Sequence, residues 1–137
     1  FDRGSLELTD ALSKSLGIDF ERAEKLKYDI GLSARPEDKE IRNVIEPILD
    51  NILSEGSRVM GEYPGRSRRT IKKVWLVGGG ALLKGMADFT TNKFGIEVKL
   101  ADPFKKVTYP VFLEETLGQI GPVFATALGA ALRSFEK

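Results

Sequence analysis

Three consecutive glycines, Gly78 to Gly80, stand where a short apolar run gives way to a helical pattern, and they constrain the fold more than any other feature. Upstream, Val74 to Val77 is the β-branched, apolar run of a buried strand. Downstream, Ala81, Leu82, Leu83, Met86 and Phe89 recur at helical spacing. Glycines at such a junction carry no Cβ, so the backbone can approach a ligand closely, and the helix behind them offers unpaired N–H groups at its positive end. That chemistry suits a phosphate or a nucleoside. The same turn also serves as a plain tight connection between strand and helix. Neither the Gly-x-Gly-x-x-Gly spacing of dinucleotide sites nor the Lys-Ser or Lys-Thr that closes a P-loop is present, so the residues alone leave both readings open.

Composition removes several classes of function. With 21 basic and 20 acidic residues the chain has no global field for a nucleic-acid duplex, and no nucleic-acid partner is expected. The absence of cysteine excludes disulfides, thiolate metal sites and cysteine nucleophiles, and the absence of histidine removes the commonest metal ligand and general base. Enzyme chemistry would have to use carboxylates, lysine or a metal held on carboxylates. No apolar run approaches the roughly 20 residues of a membrane span, and no signal peptide opens the chain, so a soluble, intracellular product is expected. The 137 residues suffice for one compact domain burying roughly two thirds of its unfolded surface.

Along the chain, Phe1 to Gly4 reads like the tail of a strand, and a truncated start is expected. Leu8, Ala11, Leu12 and Leu16 predict a first helix with Thr9 as N-cap and Gly17 as terminator. A second helix follows, capped by Asp19, with Ala23, Leu26 and Ile30 facing inward and Gly31 closing it. Leu32 to Lys39 is a polar loop. The longest stripe, Ile41, Val44, Ile45, Ile48, Leu49, Ile52, Leu53, Val59, Met60 and Tyr63, predicts a long helix starting near Glu40 and ending at Pro64-Gly65. Pro47 predicts that its regular part begins near Glu46, and Gly56 weakens it by about 1 kcal/mol unless a neighbour packs closely there. Arg66, Arg68, Arg69, Lys72 and Lys73 form a basic cluster, read as a solvated loop or as a contact for anionic lipid or phosphate. After the glycines a helix from Leu82 to about Phe94 ends at Gly95, and Ile96, Val98 and Leu100 alternate as a second strand, completing a βαβ-like unit with parallel strands. Asp102 to Phe104 is a loop, Val111 to Leu117 a short helix, and Gly121-Pro122 opens a last helix with Val123, Phe124, Ala127, Leu128, Ala131, Leu132 and Phe135 on its apolar side. The dense small residues from Ala125 to Ala131 suit close helix-on-sheet packing or room for a ligand.

These residues together carry a resemblance. The capped helices, Ala23 to Lys27 (Ala-Glu-Lys-Leu-Lys), the strand with its glycines at Val74 to Gly80, Asp102-Pro103-Phe104, and Gly121 to Phe135 resemble, in order and spacing, the second half of the actin-like nucleotide-binding fold. More narrowly, nearly the whole chain resembles the PilM family of type IV pilus assembly, also called the competence protein A family. The resemblance implies an α/β fold: the second lobe of an actin-like (ribonuclease H-like) protein. Residues 4–36 would form a small helical subdomain over the cleft and residues 37–137 a sheet-containing subdomain, with the first lobe absent.

The same resemblance implies a site. Gly78, Gly79 and Gly80 would pack on adenine and ribose, with Leu82 near the base, while Glu24 and Lys27 would face the nucleoside across the cleft and Gly31 would follow one turn on. A carboxylate can accept ribose hydroxyls and an ammonium can lie beside base or phosphates, although an exposed i,i+3 ion pair explains the same spacing. Lys84 stands where many relatives have proline, and Val123 replaces a polar residue that some keep. The implied cofactor is ATP with Mg2+ in the full-length protein, and the groups that grip phosphate and magnesium are implied to lie in the preceding half. Weak binding and no hydrolysis are therefore expected of this chain alone. The implied setting is cytoplasmic, at the inner face of the membrane, in a scaffold that meets a PilN-like protein through the other lobe. A pure interaction module with a structural glycine turn, and an FtsA-like cell-division protein, are the alternatives.

Overall fold

The computed structural model describes residues 4–67 and 69–134, with backbone alone at 64–67 and 106. Phe1 to Arg3, Arg68, Phe135 and the Arg66 side chain, which carried sequence expectations, lie outside the described residues. Among the described residues five α-helices and two strands run in the order α1 (Ser5–Leu16), α2 (Phe20–Ile30), α3 (Lys39–Ser67), β1 (Lys73–Leu76), α4 (Met86–Phe94), β2 (Glu97–Leu100) and α5 (Glu114–Arg133). Short 3-10 turns at Pro36–Asp38, Gly79–Leu82, Pro103–Lys106 and Val111–Leu113 connect them.

The first two helices form an antiparallel pair because both are capped within a few residues. Gly17 closes α1 in the left-handed conformation, and the Asp19 carboxylate then accepts the Arg22 N–H at 2.8 Å to start α2. Thr9 is not the N-cap that its residue type suggests. Gly4 takes that position, and Thr9 lies one turn inside α1, fully buried, donating to the Ser5 carbonyl at 3.2 Å.

Ile41, Ile45, Leu49 and Leu53 place one buried residue per turn along α3, and this stripe receives Leu8 and Leu12 of α1, Ala23 of α2, and Leu83 and Met86. The helix runs straight through Pro47 and past Pro64-Gly65 to Ser67, so both prolines are tolerated inside it. Val59 and Tyr63, expected on the buried stripe, are 51% and 40% exposed because the packed neighbours end before them. Gly56 has its packing reason: a methyl there would come within 3.0 Å of the Phe94 ring.

The two strands pair in parallel, in register from Lys73 opposite Glu97 to Leu76 opposite Leu100. Leu76 faces the core cluster, whereas Trp75 and Val77 face outward and are 55% and 54% exposed. Between the strands the expected continuous helix from Leu82 is divided. A 3-10 turn spans Gly79–Leu82, Gly85 breaks the direction, and α4 begins only at Met86.

The last helix also departs from expectation. Gly121-Pro122 does not open it; α5 starts at Glu114 and carries Pro122 in its interior. Both residues are buried where the helix crosses the end of β2, and Gly121 allows that crossing because even a methyl there would meet the Ala101 carbonyl and the Pro103 ring at 3.4 Å. Beyond Pro122 most of the helix is exposed, including Ala127, Gly129, Ala130 and Ala131, so the small residues form no close packing against the described sheet.

Candidate functional site

The glycine turn is shaped by two long-range contacts. Gly78 adopts φ 84°, which a side chain would disfavour, and its N–H donates to the Pro122 carbonyl of α5 at 2.7 Å. On the other side the Tyr28 hydroxyl of α2 lies so near Gly79 that a Cβ there would sit 3.3 Å from it. The turn is thus held between α5 and α2 with its backbone bare.

Gly78, Gly79 and Gly80 line a cavity of about 320 Å³ between the end of β1 and the first turn of α1. Its far wall is apolar, from Leu8 of α1, Leu49 and Ile52 of α3 and Met86 of α4, and its polar rim includes Ser5. A bare backbone opposite an apolar wall accommodates a flat or hydrophobic group with polar atoms at one edge. Of the seven residues singled out in the sequence, only these three glycines line the cavity. Leu82 lies at the end of the same turn, half-buried, and Gly31 lies at the end of α2.

Glu24 and Lys27 are brought together, but around the first turn of α1. The Lys27 ammonium has no solvent exposure and donates to the Glu24 carboxylate at 2.7 Å, to Thr9 Oγ1 at 2.9 Å, and to Ser5 Oγ and the Ser5 carbonyl at 2.6 and 3.1 Å. It also lies 4.7 Å from the centre of the Tyr28 ring. Thr9 hydrogen-bonds Glu24 as well. Burial opposes ionisation of Glu24, yet the hydrogen bonds from Lys27 and Thr9 and the Lys27 charge outweigh it and hold the carboxyl below its ordinary value. The pair therefore reaches the cavity through Ser5, which it fixes on the rim.

Gly31 has a packing role at the same edge. With φ 57° it lets α2 turn directly beneath the segment after the glycines, and a Cβ there would overlap the Lys84 carbonyl at 2.8 Å. That carbonyl accepts the Leu32 N–H at 2.9 Å, and the Lys84 ammonium returns to the Asp29 carbonyl near the end of α2. Lys84 thus clamps α2 to the glycine turn.

The sequence matches the family described as "Type IV pilus assembly protein PilM" over residues 2–135. The chain belongs to the PilM family. Among solved structures, the PilM-like chain is similar to one described as "PilM-PilN type IV pilus biogenesis complex", with TM-score 0.80 and 29% identity, covering 96% of this chain and 37% of that one. It is also similar to the ethanolamine utilization protein EutJ from Carboxydothermus hydrogenoformans, with TM-score 0.61 and 26% identity, covering 94% of this chain and 37% of that one. The chain therefore spans a little over a third of each of these structures. No curated protein matches it. The expected resemblance and the expected fold class both hold: the mixed helices and small parallel sheet are part of an actin-like fold.

Within this PilM-family chain, sequence reasoning missed Ser5, Thr9 and Tyr28. Ser5 and Thr9 are four residues apart and so share a helix face with the buried Leu8 and Leu12, a spacing that could have flagged them as buried polar groups needing a partner. Tyr28 had no comparable signal, since its contact with Gly79 depends on how α2 lies across the turn. Val123 is 47% exposed on α5.

Proposed function

We propose that this PilM-family chain contributes the adenosine-binding half of an ATP site in a type IV pilus assembly protein. The supporting observation is the cavity beneath Gly78 to Gly80, where bare backbone faces an apolar wall and the Ser5 hydroxyl stands at the rim. In this reading the base and ribose lie against the three glycines, with Leu82 at the turn's end. Ser5, fixed by Lys27 and Glu24, offers a hydroxyl at the rim, so those two residues act on the nucleoside by positioning the rim. Gly31 sets the distance between α2 and the turn.

Among the described residues no three acidic side chains converge to hold a metal ion, so the magnesium that accompanies ATP is not assigned to this chain. In this reading the chain contributes binding, and hydrolysis is not assigned to its described residues. Bound nucleotide then acts by stiffening α1, α2 and the glycine turn as one unit, which suits a scaffold that presents ordered surfaces to its partners. A PilN-like inner-membrane protein is the proposed partner of the whole assembly, on the cytoplasmic side, since a PilM–PilN complex is among the similar structures. Among the described residues no helix is long and apolar enough to cross a membrane, and membrane association through partners fits that.

The test is an NMR titration of the chain with ATP and magnesium. Resonances of Ser5, Gly78, Gly79, Gly80 and Ala81 are expected to shift together, with dissociation in the millimolar range because the charge-assisted phosphate contacts are missing. Gly79→Val, placing branched carbon against Tyr28, is expected to abolish the response while the chain stays folded by circular dichroism. A folded wild-type chain that shows no saturable shift sinks the nucleotide reading and leaves a scaffold whose glycine turn is structural.

A further inference from the structure

Away from the glycine turn, the loop leading from α2 into α3 borders a second cavity, of about 250 Å³, whose polar wall is Ser33, Arg35, Lys39, Arg42 and Asn43. Three of these side chains are cationic, and no carboxylate contributes to the wall. The nearby acids act from behind. Arg35 Nε donates to Asp38 Oδ2 at 2.7 Å, and Arg42 Nε donates to Glu46 Oε2 at 2.8 Å. Glu37 stands 3.9 Å from Arg35 and is largely exposed.

This arrangement ties each guanidinium to a carboxylate through its Nε while leaving the outer donors unspent. The Nη groups of Arg35 and Arg42 have no acceptor among the described residues, nor has the Lys39 ammonium or the Asn43 amide. Positive charges gathered at the start of a 29-residue helix also oppose its macrodipole, which Glu37, Asp38 and Glu40 offset locally. Two anchored planar forks and a point charge around an open cavity match several oxygens of one highly charged oxyanion better than a single carboxylate.

We propose that this cavity binds a phosphate group, carried either by a soluble phosphate ester or by an anionic lipid headgroup. It is independent of the glycine turn: none of its residues lines the other cavity. Occupancy ties the α2–α3 loop to the first two turns of α3.

Titration of the chain with inorganic phosphate, at ionic strength held constant with sodium chloride, reads the site directly through the backbone amides of Ser33 to Asn43. A saturable shift confined to that segment is expected, with half-saturation raised about tenfold by Lys39→Ala or Arg42→Gln. Lys72→Ala, outside the cavity, is expected to leave it unchanged. Sedimentation with phosphatidylglycerol vesicles, against phosphatidylcholine vesicles, separates the two sources. Co-sedimentation that Lys39→Ala abolishes assigns a headgroup, and phosphate saturation without co-sedimentation assigns a soluble ester. The proposal is overturned if phosphate shifts do not saturate and vesicle binding is either absent or indifferent to both substitutions.

Discussion

Lys27 carries its charge into a position with no contact with solvent, and the arrangement around it shows why that is tolerated. Burying an ammonium costs several kcal/mol unless a counter-charge and hydrogen bonds replace water. Glu24, Ser5 and Thr9 do so from two helices, which makes the network the polar pin of the α1–α2 pair. Its pH dependence follows from Glu24, whose carboxyl is held below the ordinary 4.5 in the folded chain. A depressed folded value means that the unfolded chain takes up the proton first on acidification. The stability Glu24 contributes is therefore complete above 4.5 and is lost as the pH falls through the folded value. Glu24→Gln is expected to cost about 1–2 kcal/mol at neutral pH, and the gap from wild type should narrow steadily on acidification. Urea unfolding of both proteins from about pH 7 to pH 3 reads this. A gap that stays constant over that range would show that the carboxylate charge is not what Lys27 requires.

Among the elements, α3 invites the most direct test, because a proline sits within its regular turns. Pro47 removes one backbone donor and crowds the preceding turn, yet it is exposed and the helix continues on both sides. Pro47→Ala is expected to stabilise the chain by about 1–3 kcal/mol, visible as a rise of several degrees in the thermal midpoint. An unchanged or lowered midpoint would mean that the proline is needed for the local path of the helix. The same two prolines explain where reading the sequence failed. Pro47 suggested a helix start near Glu46 and Pro122 a start at Gly121, because proline is most at home in a first turn. Instead α3 begins at Lys39, beside the start near Glu40 that its apolar stripe marks, and α5 begins at Glu114, since the tertiary contact at Gly121 outweighs the local penalty. Elements ended by local chemistry were legible: Asp19, Gly17, Gly31 and Gly95 all act at the positions read for them. Thr9 was misread because its partners are Ser5 in its own helix and Glu24 in the next. The glycine turn was legible as a ligand-like feature, while its neighbours Ser5 and Tyr28 depend on packing that no spacing encodes.

At the scale of the whole molecule, stability is unevenly distributed. The core cluster draws its buried members from α1, α2, α3, α4 and the segments beside them, and none from β2 or α5. A two-stranded sheet adds little independent stability. The β2–α5 side is held by Gly121 against the end of β2 and by the Phe104–Phe124 ring contact, while Val111 and Phe112, just before α5, are each 81% exposed. Local opening free energies follow burial and contact density, so the chain should open in two steps as amides exchange with solvent. Slowest exchange is expected at Ile45 to Leu53 and in α1, close to the global unfolding free energy. The second half of α5, from Val123 to Arg133, should exchange at least about a hundredfold faster, since its helix can fray without disturbing the core. The junction at Gly78 should lie between them, because its bond to the Pro122 carbonyl is the link from the glycine turn to α5. Native-state hydrogen exchange followed by NMR measures all three regions in one experiment. If the α5 amides are as protected as those of Ile45 to Leu53, the molecule is a single cooperative unit and the Gly78–Pro122 bond couples its halves. If instead the gradient appears, ATP that binds the glycine turn should slow exchange in α5 through that same bond, as well as in the first turn of α1 that lines the cavity.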